Sequence, residues 1–229
     1  MGNTWRESYK KRWQIYDIFS KREDYPDAAW KSIIQEINFH GKIVFEMGCG
    51  TGKYTKKIAQ LADSLFANDI SEVMIQKTQE TCKDFSNITY ICESAHESGL
   101  PDHSVDIVFS AWGYVAGDPD FAMQLEKEFN RILKPGGTVW LLDNYYEGEF
   151  TRLRGKNPQP GTPMYPEQKY GYHLVKKINT YFQFESVEEA SDIFGFLFGE
   201  NAQRTILKNN TMKIGDTIAL MKKAYNGME

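Results

Sequence analysis

The chain has few cysteines and no long apolar segment. Cys49, Cys82 and Cys92 are the only cysteines in 229 residues. Their odd number and the lack of C-x-x-C spacing argue against a disulfide framework or a structural zinc site, so we expect a reducing, cytoplasmic location. No window approaches the roughly 18 apolar residues that cross a bilayer, and residues 1–11 lack the apolar run of a signal peptide. We therefore expect no membrane association.

A strong charge of either sign is also absent. Lys and Arg total 27 against 31 Asp and Glu, which gives a net charge of −4. Such a chain lacks the overall basic field of a non-specific nucleic-acid binder, so we expect no nucleic-acid partner. Hydrophobic residues make up 41% of the sequence, which is enough for a buried core. The length suits one α/β domain with a modest insertion.

The apolar and periodic segments predict strands that alternate with helices. Short apolar or alternating runs typical of strands occur at seven places: residues 42–46, 64–70, 88–92, 105–111, 138–143, 173–184 and 216–223. Helical spacing fills residues 54–61, 72–84 and 121–133, and the K-P-G-G sequence at 134–137 should end the last of these helices. This alternation predicts a doubly wound, mostly parallel seven-stranded α/β sheet with helices on both faces.

The chain divides into four predicted segments. They are an N-terminal helical cap at 1–39, a core at 40–143, an insertion or lid with an extra strand and helix at 144–215, and a last strand at 216–229. Four of the eight prolines fall within residues 155–166, which predicts an irregular loop. Ser186 is the predicted N-cap of a helix that runs to about Phe198, with Glu189 in the capping-box position.

A glycine-rich turn follows the first predicted strand. Gly48, Gly50 and Gly52 have G-x-G-x-G spacing, and Glu46 precedes the first glycine by two residues. The spacing differs from the dinucleotide G-x-G-x-x-G motif, and no Lys-Ser or Lys-Thr pair ends a phosphate-binding loop. Asp69 lies at the end of the second predicted strand, where a carboxylate can accept both hydroxyls of a ribose. The turn therefore predicts a ligand site at the carboxyl edge of the sheet.

Three motifs together give a family resemblance. The chain has E-x-G-C-G-T-G after the first strand, an acid at the end of the second, and R-I-L-K-P-G-G before the fifth. Over residues 40–143 it resembles the class I S-adenosylmethionine-dependent methyltransferases. The resemblance implies a Rossmann-like fold, S-adenosyl-L-methionine as cofactor and methyltransferase activity. It also implies that residues 40–143 are the cofactor-binding core.

The resemblance further implies which residues surround the cofactor. Glu46, Gly48 and Gly50 would flank its amino-acid part, and Asp69 would bind its ribose. The full set of implied cofactor-binding residues is Tyr16, Glu46, Gly48, Cys49, Gly50, Gly52, Asp69, Ile70, Ser94, Ala95, His96, Ser110 and Trp112. One position departs from the family, because many relatives carry Asp-Ala where this chain has Ser94 and Ala95. The adenine contact of that Asp would fall to the Ser94 hydroxyl or to Glu97, or be missing.

Motifs that the sequence lacks narrow the range of possible methyl acceptors. The fourth strand is not followed by the [N/D]-P-P-[Y/F] motif of DNA-adenine and protein-glutamine methyltransferases, nor by a Pro-Cys pair. It is not followed by an acid that could bind a metal either, so we expect no metal. Aromatic residues follow the fourth and fifth strands instead, with a further stripe at the N-terminus. The pocket candidates are Trp112, Tyr114, Tyr145 and Tyr146, with Tyr165, Tyr170 and Tyr172 beyond the loop and Trp5, Tyr9, Trp13 and Tyr16 as a cover.

These features predict a methyltransferase for a small organic acceptor, aromatic or bearing an amine or hydroxyl. Proximity and orientation supply much of the catalysis of such a displacement, so no general base is assigned. Three alternatives stay open. The enzyme could modify RNA or protein through a basic cluster at Arg152, Arg154, Lys156 and Lys169, the fold could bind the cofactor without turnover, and the N-terminal aromatic stripe could be simple packing.

Overall fold

The computed structural model describes residues 3–114, 118–155 and 164–225. Its single seven-stranded sheet has the order β3-β2-β1-β4-β5-β7-β6. The strands are β1 Ile43–Met47, β2 Ser64–Asn68, β3 Ile88–Ile91, β4 Val105–Ala111, β5 Leu133–Asn144, β6 His173–Gln183 and β7 Lys213–Ala224. The first five pair in parallel, and β7 runs antiparallel between β5 and β6. The predicted fold class is confirmed.

Helices cover both faces of this sheet. They are α1 Asn3–Arg22, α2 Ala28–Glu36, α3 Thr55–Ala59, α4 Glu72–Thr81, α5 Pro119–Ile132, α6 Glu149–Leu153, α7 Tyr165–Tyr170, α8 Val187–Phe198 and α9 Glu200–Asn209, with a 3-10 turn at Ala95–Glu97. None of the helices described is long and apolar enough to cross a membrane.

The strands alternate between two cores because successive side chains point to opposite faces. In β1, Phe45 packs in the core that contains Phe129 of α5, whereas Val44 packs in the core that contains Ile33 of α2 and Ile58 of α3. Glu46 follows the parity of Val44, so its side chain enters the face of α2 and α3. A third, phenylalanine-rich core lies between α8, α9 and β6, and Phe19 of α1 packs against it.

The K-P-G-G sequence lies inside a strand, not between a helix and a strand. β5 begins at Leu133, opposite Val105, and its parallel register with β4 shifts before Thr138 pairs with Ile107. Gly136 has φ +80°, and its N–H donates to the carbonyl of Tyr225. The prediction that these residues separate the two elements is wrong because the glycines form an irregularity that pairing tolerates.

The segment after β5 holds more helix than the sequence predicts. The helices α6, α7 and α9 are additional, and α7 begins at Tyr165 within the predicted irregular loop. Residues 156–163 of that loop lie outside the described residues. The predicted N-cap is present, because the Ser186 hydroxyl accepts the N–H of Glu189 at 3.0 Å, but the Glu189 carboxylate accepts the N–H of Glu185 instead of Ser186.

Candidate active site

The glycine turn after β1 is held against the end of β2. Gly48, Gly50 and Gly52 all have positive φ angles, of 74°, 57° and 89°. The N–H groups of Gly48 and Cys49 both donate to the Asn68 carbonyl at 2.9 Å. This left-handed backbone explains why glycines occupy the three positions, and the turn lies at the carboxyl edge of the sheet.

Asp69 lies directly beside this glycine turn. Its carboxylate accepts the N–H of Gly50 at 3.1 Å and the N–H of Ser71 at 2.9 Å. Burial raises the pKa of Asp69 to about 6, and the two hydrogen bonds oppose that shift. A carboxylate offers about four acceptor positions, so further donors can still bind it. The neighbouring Ile70 is exposed.

The turn after β4 meets the glycine turn backbone to backbone. Trp112 has φ +54°, an uncommon conformation for a bulky residue, and its N–H donates to the Leu142 carbonyl at 2.8 Å. A Cβ on Gly113 would lie 2.7 Å from the Ser110 hydroxyl and 2.9 Å from the Met47 carbonyl. Only a glycine fits there. Sequence analysis missed this role, although the S-A-W-G-Y segment contained the residue.

Buried polar atoms without a partner are concentrated around these two turns. Among the described residues, five side-chain N or O atoms are buried and make no hydrogen bond, in Glu46, Tyr54, Thr55, Ser71 and Trp112. All five lie within two residues of a predicted cofactor residue or in the segment from Lys53 to Thr55 that continues the glycine turn. Such atoms are rare in folded proteins, and two of them are close neighbours, because the Thr55 hydroxyl lowers the pKa of the Glu46 carboxyl.

Burial changes the acidity of Glu46, the residue two positions before Gly48. Its side chain is buried on the face of α2 and α3, and burial raises its pKa to about 8, with a further upward contribution from Asp69. The nearby Thr55 hydroxyl opposes the shift. The carboxyl is therefore largely protonated at neutral pH until a cation approaches it.

Lys53 joins the glycine turn to the end of α1. Its Nζ donates to the carbonyls of Ser20 at 2.9 Å and Glu23 at 2.8 Å. The same Nζ lies 5.7 Å from the centre of the Trp112 ring, and burial lowers its pKa. Burial also raises the pKa of the Glu23 carboxyl. Lys53 thus links the Trp112 ring to the main chain that follows α1.

On the predicted adenine side, Ser94 stands where many relatives carry an Asp, and its hydroxyl makes a hydrogen bond within the chain. The Ser94 hydroxyl lies 2.7 Å from Nδ1 of His96, and the His96 ring contacts Phe121 edge to face. Ala95 is buried between them, and the Glu97 side chain is exposed. The hydroxyl of Ser94 is thus engaged with the adjacent imidazole.

The side chains of Cys49 and Ser110 both pack within the fold. Cys49 is buried against Ala67 and Ile75, and burial raises the pKa of its thiol well above the usual value. The Ser110 hydroxyl donates to the Met47 carbonyl at 3.1 Å, which ties β4 to β1 directly below the glycine turn. Neither side chain is placed as a nucleophile.

The predicted aromatic pocket residues are distributed over both faces of the sheet. Trp112 packs with the core of α2 and α3, where its ring centre is 6.1 Å from that of Tyr54. Tyr114 lies in the opposite core, beside Tyr170 and Tyr172. The left-handed turn at Trp112 breaks the strand alternation that would keep residues 112 and 114 on one face. The rings thus belong to two cores, and their convergence on one substrate pocket at the sheet edge stays a prediction.

The remaining aromatic candidates occupy separate positions. Tyr145 is buried and stacks on Tyr146, and the Lys177 ammonium lies 4.1 Å from the Tyr145 ring centre. Tyr16 of α1 faces the glycine turn, because a Cβ on Gly50 would lie 3.8 Å from Tyr16 Cε1. Trp13 contacts the Lys77 ammonium of α4 at 4.8 Å. The side chains of Trp5 and Tyr9 lie outside the described ones.

Comparison with known proteins identifies the domain that carries this site. Residues 44–137, which contain both turns and Asp69, match the family described as a methyltransferase domain. These residues are a class I methyltransferase domain. Members of this class use S-adenosylmethionine as cofactor. Within the described residues, no group of three or more His, Cys, Asp or Glu is arranged to hold a metal ion.

Named relatives of this methyltransferase domain include two kinds of small-molecule enzyme. Phosphoethanolamine N-methyltransferase 1 of Triticum aestivum is 31% identical over 152 residues, covering 64% of this chain and 29% of the relative. Demethylmenaquinone methyltransferase of Staphylococcus saprophyticus is 26% identical over 233 residues, which cover 94% of this chain and 87% of the relative. The chain thus spans less than a third of the plant relative's length.

A solved structure gives the same fold. Phosphoethanolamine N-methyltransferase 1 of Haemonchus contortus, in complex with phosphoethanolamine and S-adenosylhomocysteine, superposes with a TM-score of 0.59. The alignment covers all of this chain and 51% of that one at 17% identity. At this identity the likeness establishes the fold, and the site assignments depend on the geometry described above.

Proposed function

We propose that the chain binds S-adenosylmethionine at the glycine turn and transfers its methyl group to a small organic acceptor. The observation that carries this proposal is the glycine turn at the carboxyl edge of the sheet, where the main chain at Gly48, Gly50 and Gly52 lies beside the Asp69 carboxylate. Glycines let a ligand approach the main chain closely, and the carboxylate has acceptor positions left for hydroxyl groups.

The cofactor groups can be assigned to residues that fit them chemically. The Asp69 carboxylate would accept the ribose hydroxyls, and Glu46 would face the ammonium of the amino-acid part. The main chain at Ala95 and His96 would frame the adenine, while Ser110 and Trp112 would lie below the sulfonium. The aromatic face of Trp112 suits a cationic centre.

Methyl transfer of this kind depends mainly on the orientation of the acceptor relative to the methyl group. Bound cofactor supplies an electrophilic methyl group and leaves as S-adenosylhomocysteine. This chain's residues would hold the acceptor in line and exclude water, and correct placement alone can remove several kcal/mol of the barrier. An amine acceptor reacts only as the free base, so a nearby carboxylate would take the proton of the ammonium form before methyl transfer.

An amine acceptor is favoured by acidic residues at the ends of β5 and β7. Asp216 accepts a hydrogen bond from Asn144 at 2.9 Å, and burial raises its pKa to about 7. The charges of Asp216 and Asp143 also raise the pKa of Glu23, which places the three carboxyls near one another. The phosphoethanolamine methyltransferases among the relatives act on an amine and agree with this proposal.

The macromolecular alternative has less support. Arg154 of the basic cluster points inward, because its guanidinium donates to Asn144 and lies 5.2 Å from the Phe150 ring. Lys156 lies outside the described residues.

We also propose a cytoplasmic location. It rests on the low number of cysteines, three in 229 residues.

Methyl-labelled cofactor tests the proposal directly. The protein is incubated with labelled S-adenosylmethionine and phosphoethanolamine, ethanolamine, a naphthoquinol or cell extract, and small-molecule, protein and RNA fractions are separated. We expect the label in small molecules, with an amine preferred. Label in protein or RNA would favour the macromolecular alternative, and cofactor binding without any transfer would favour a binding protein.

Calorimetry with S-adenosylhomocysteine tests the cofactor site. Gly50→Val should abolish binding, because valine strongly disfavours the φ of +57° at this position. Asp69→Ala should weaken binding about 10- to 150-fold, the equivalent of a charge-assisted hydrogen bond. A 2′-deoxy ligand is the control: if wild type binds it as tightly as the ribose form, Asp69 has another role.

A further inference from the structure

Glu126, on the buried side of α5, is the acceptor of a four-donor hydrogen-bond network. Its Oε1 accepts the hydroxyls of Tyr114 at 3.0 Å and Tyr172 at 2.9 Å. Its Oε2 accepts the hydroxyl of Tyr225 at 2.7 Å and the ammonium of Lys223 at 2.8 Å. The side chain is only 10% exposed. Four donors therefore surround one carboxylate in the core.

The three phenols of this network keep their protons at physiological pH. Burial and the negative charge of Glu126 raise the pKa of Tyr114, Tyr172 and Tyr225 above that of a free phenol. A buried carboxylate is tolerated only when its hydrogen-bond capacity is filled. Each phenol is thus a fixed donor, and the position of its ring is set by the carboxylate.

The main chains of Tyr114 and Tyr225 lie at opposite ends of the sheet, although their hydroxyls meet at the Glu126 carboxylate. Tyr225 follows β7, where its N–H donates to the Gly137 carbonyl at the amino end of the parallel strands. Tyr114 follows Gly113 directly, at the carboxyl end, where Gly113 contacts the glycine turn. Of the two, only Tyr114 connects Glu126 to the proposed cofactor site.

The turn that Tyr114 terminates is both strained and tightly packed. Trp112 has φ +54°, a conformation that persists in a bulky residue only when the surroundings hold it. An added Cβ on Gly48 would lie 3.3 Å from the Gly113 Cα, so the two turns have no free space between them. A displacement of Tyr114 must therefore move Gly113 relative to the glycine turn.

We propose that Glu126 is a positioning residue that fixes the Trp112–Tyr114 turn against the glycine turn through the Tyr114 hydroxyl. Its effect on methyl transfer rests on the proposed function, whereas its effect on the geometry of the turn does not. Tyr172, Tyr225 and Lys223 would fill the remaining positions of the carboxylate and stabilise it where it is.

Two matched variants test this inference. Tyr114→Phe and Tyr225→Phe each remove one phenol hydroxyl from Glu126 and leave the ring in place. We expect similar losses of stability in urea for both. Tyr114→Phe alone should speed amide hydrogen exchange of residues 110–114 about 3- to 10-fold, the effect of one ordinary hydrogen bond. It should also weaken S-adenosylhomocysteine binding and lower kcat for the acceptor.

Glu126→Gln is the conservative companion, because it keeps an acceptor oxygen but loses the charge. It should speed exchange at residues 110–114 less than Glu126→Leu does. Where Glu126→Leu fails to fold, the two tyrosine variants still decide. Equal exchange at residues 110–114 in Tyr114→Phe and Tyr225→Phe, or no change in either, would overturn the positioning role. Amide hydrogen exchange is measured without a ligand, so it tests the positioning role independently of methyl transfer. If the wild-type protein transferred no methyl group, that result would refute the proposed function but not the role of Glu126.

Discussion

At Gly113 the backbone of the β4 turn passes too close to β1 for any side chain. We expect Gly113→Ala to weaken S-adenosylhomocysteine binding at least tenfold, because its methyl group would lie 2.7 Å from the Ser110 hydroxyl and force the two turns apart. Calorimetry measures the change.

The control for this substitution is Gly215→Ala. A Cβ there meets nothing closer than the Glu149 carboxylate at 3.8 Å, so affinity should stay at the wild-type value. If Gly113→Ala binds as wild type does, the contact between the two turns has no part in forming the site.

Glu46 should release a proton when the cofactor binds. Its pKa of about 8 keeps the carboxyl mostly protonated at pH 7, and a neighbouring ammonium would favour the ionised form. We therefore expect affinity to rise between pH 6 and 8. Calorimetry at pH 7 in buffers of different ionisation enthalpy should show release of close to one proton, and Glu46→Gln should abolish it. Equal proton release in both proteins would contradict the assignment of Glu46.

Sequence motifs predicted the residues whose role depends on their neighbours along the chain. Gly48, Gly50 and Asp69 were found because a strand, a turn and a second strand follow in a fixed order. Glu126 was not found, because its donors come from positions as distant as Tyr225. The contact of Lys53 with the end of α1 is likewise invisible in a local pattern, since it joins residues about 30 positions apart.

At the scale of elements, α1 should act as a cover of the cofactor site. Tyr16 faces Gly50, whereas Phe19, further along the helix, packs in the phenylalanine-rich core. Deleting residues 1–16 should therefore raise the dissociation constant for S-adenosylhomocysteine and erase methyl transfer while the sheet stays folded. Calorimetry and circular dichroism measure the two effects.

The point variant Tyr16→Ala separates the cover from the general loss of a helix. It should weaken S-adenosylhomocysteine binding in the intact chain while the circular dichroism spectrum stays that of the wild type, because Tyr16 is not among the buried residues of the two cores on the sheet. Normal binding and turnover by the truncated protein would mean that the aromatic stripe is packing only.

Elements with strong local signals were predicted well. The bounds of β4, Val105–Ala111, agree with the predicted strand because a proline-containing turn precedes a largely apolar run. The helix α9 was missed, since Gly199 at φ +87° precedes it and no side chain caps it. The helix α6 spans only Glu149–Leu153, too few residues to show a helical period.

For the whole molecule, several carboxyls prefer to be protonated in the folded state. Burial raises the pKa of Glu46 to about 8, of Asp216 to about 7 and of Asp69 to about 6. In the unfolded chain these groups return to ordinary values near 4. Paired acids act in the opposite direction. The Ile43 N–H and Lys134 hold the pKa of Asp106 below its ordinary value despite partial burial, and Arg131 does the same for Glu128.

These shifts predict that the ligand-free protein is most stable near pH 5 and loses stability toward pH 8. A group whose pKa is raised on folding binds its proton more tightly in the folded state, so its contribution is full below the unfolded pKa and disappears as pH rises through the folded value. We expect a loss of at least about 2 kcal/mol between pH 5 and 8, or roughly 4–8 °C in Tm for a chain of this size. Thermal unfolding across this range measures it, and Glu46→Gln with Asp216→Asn should flatten the profile. A Tm that rises toward pH 8 without ligand would show that these carboxyls are ionised in the folded protein.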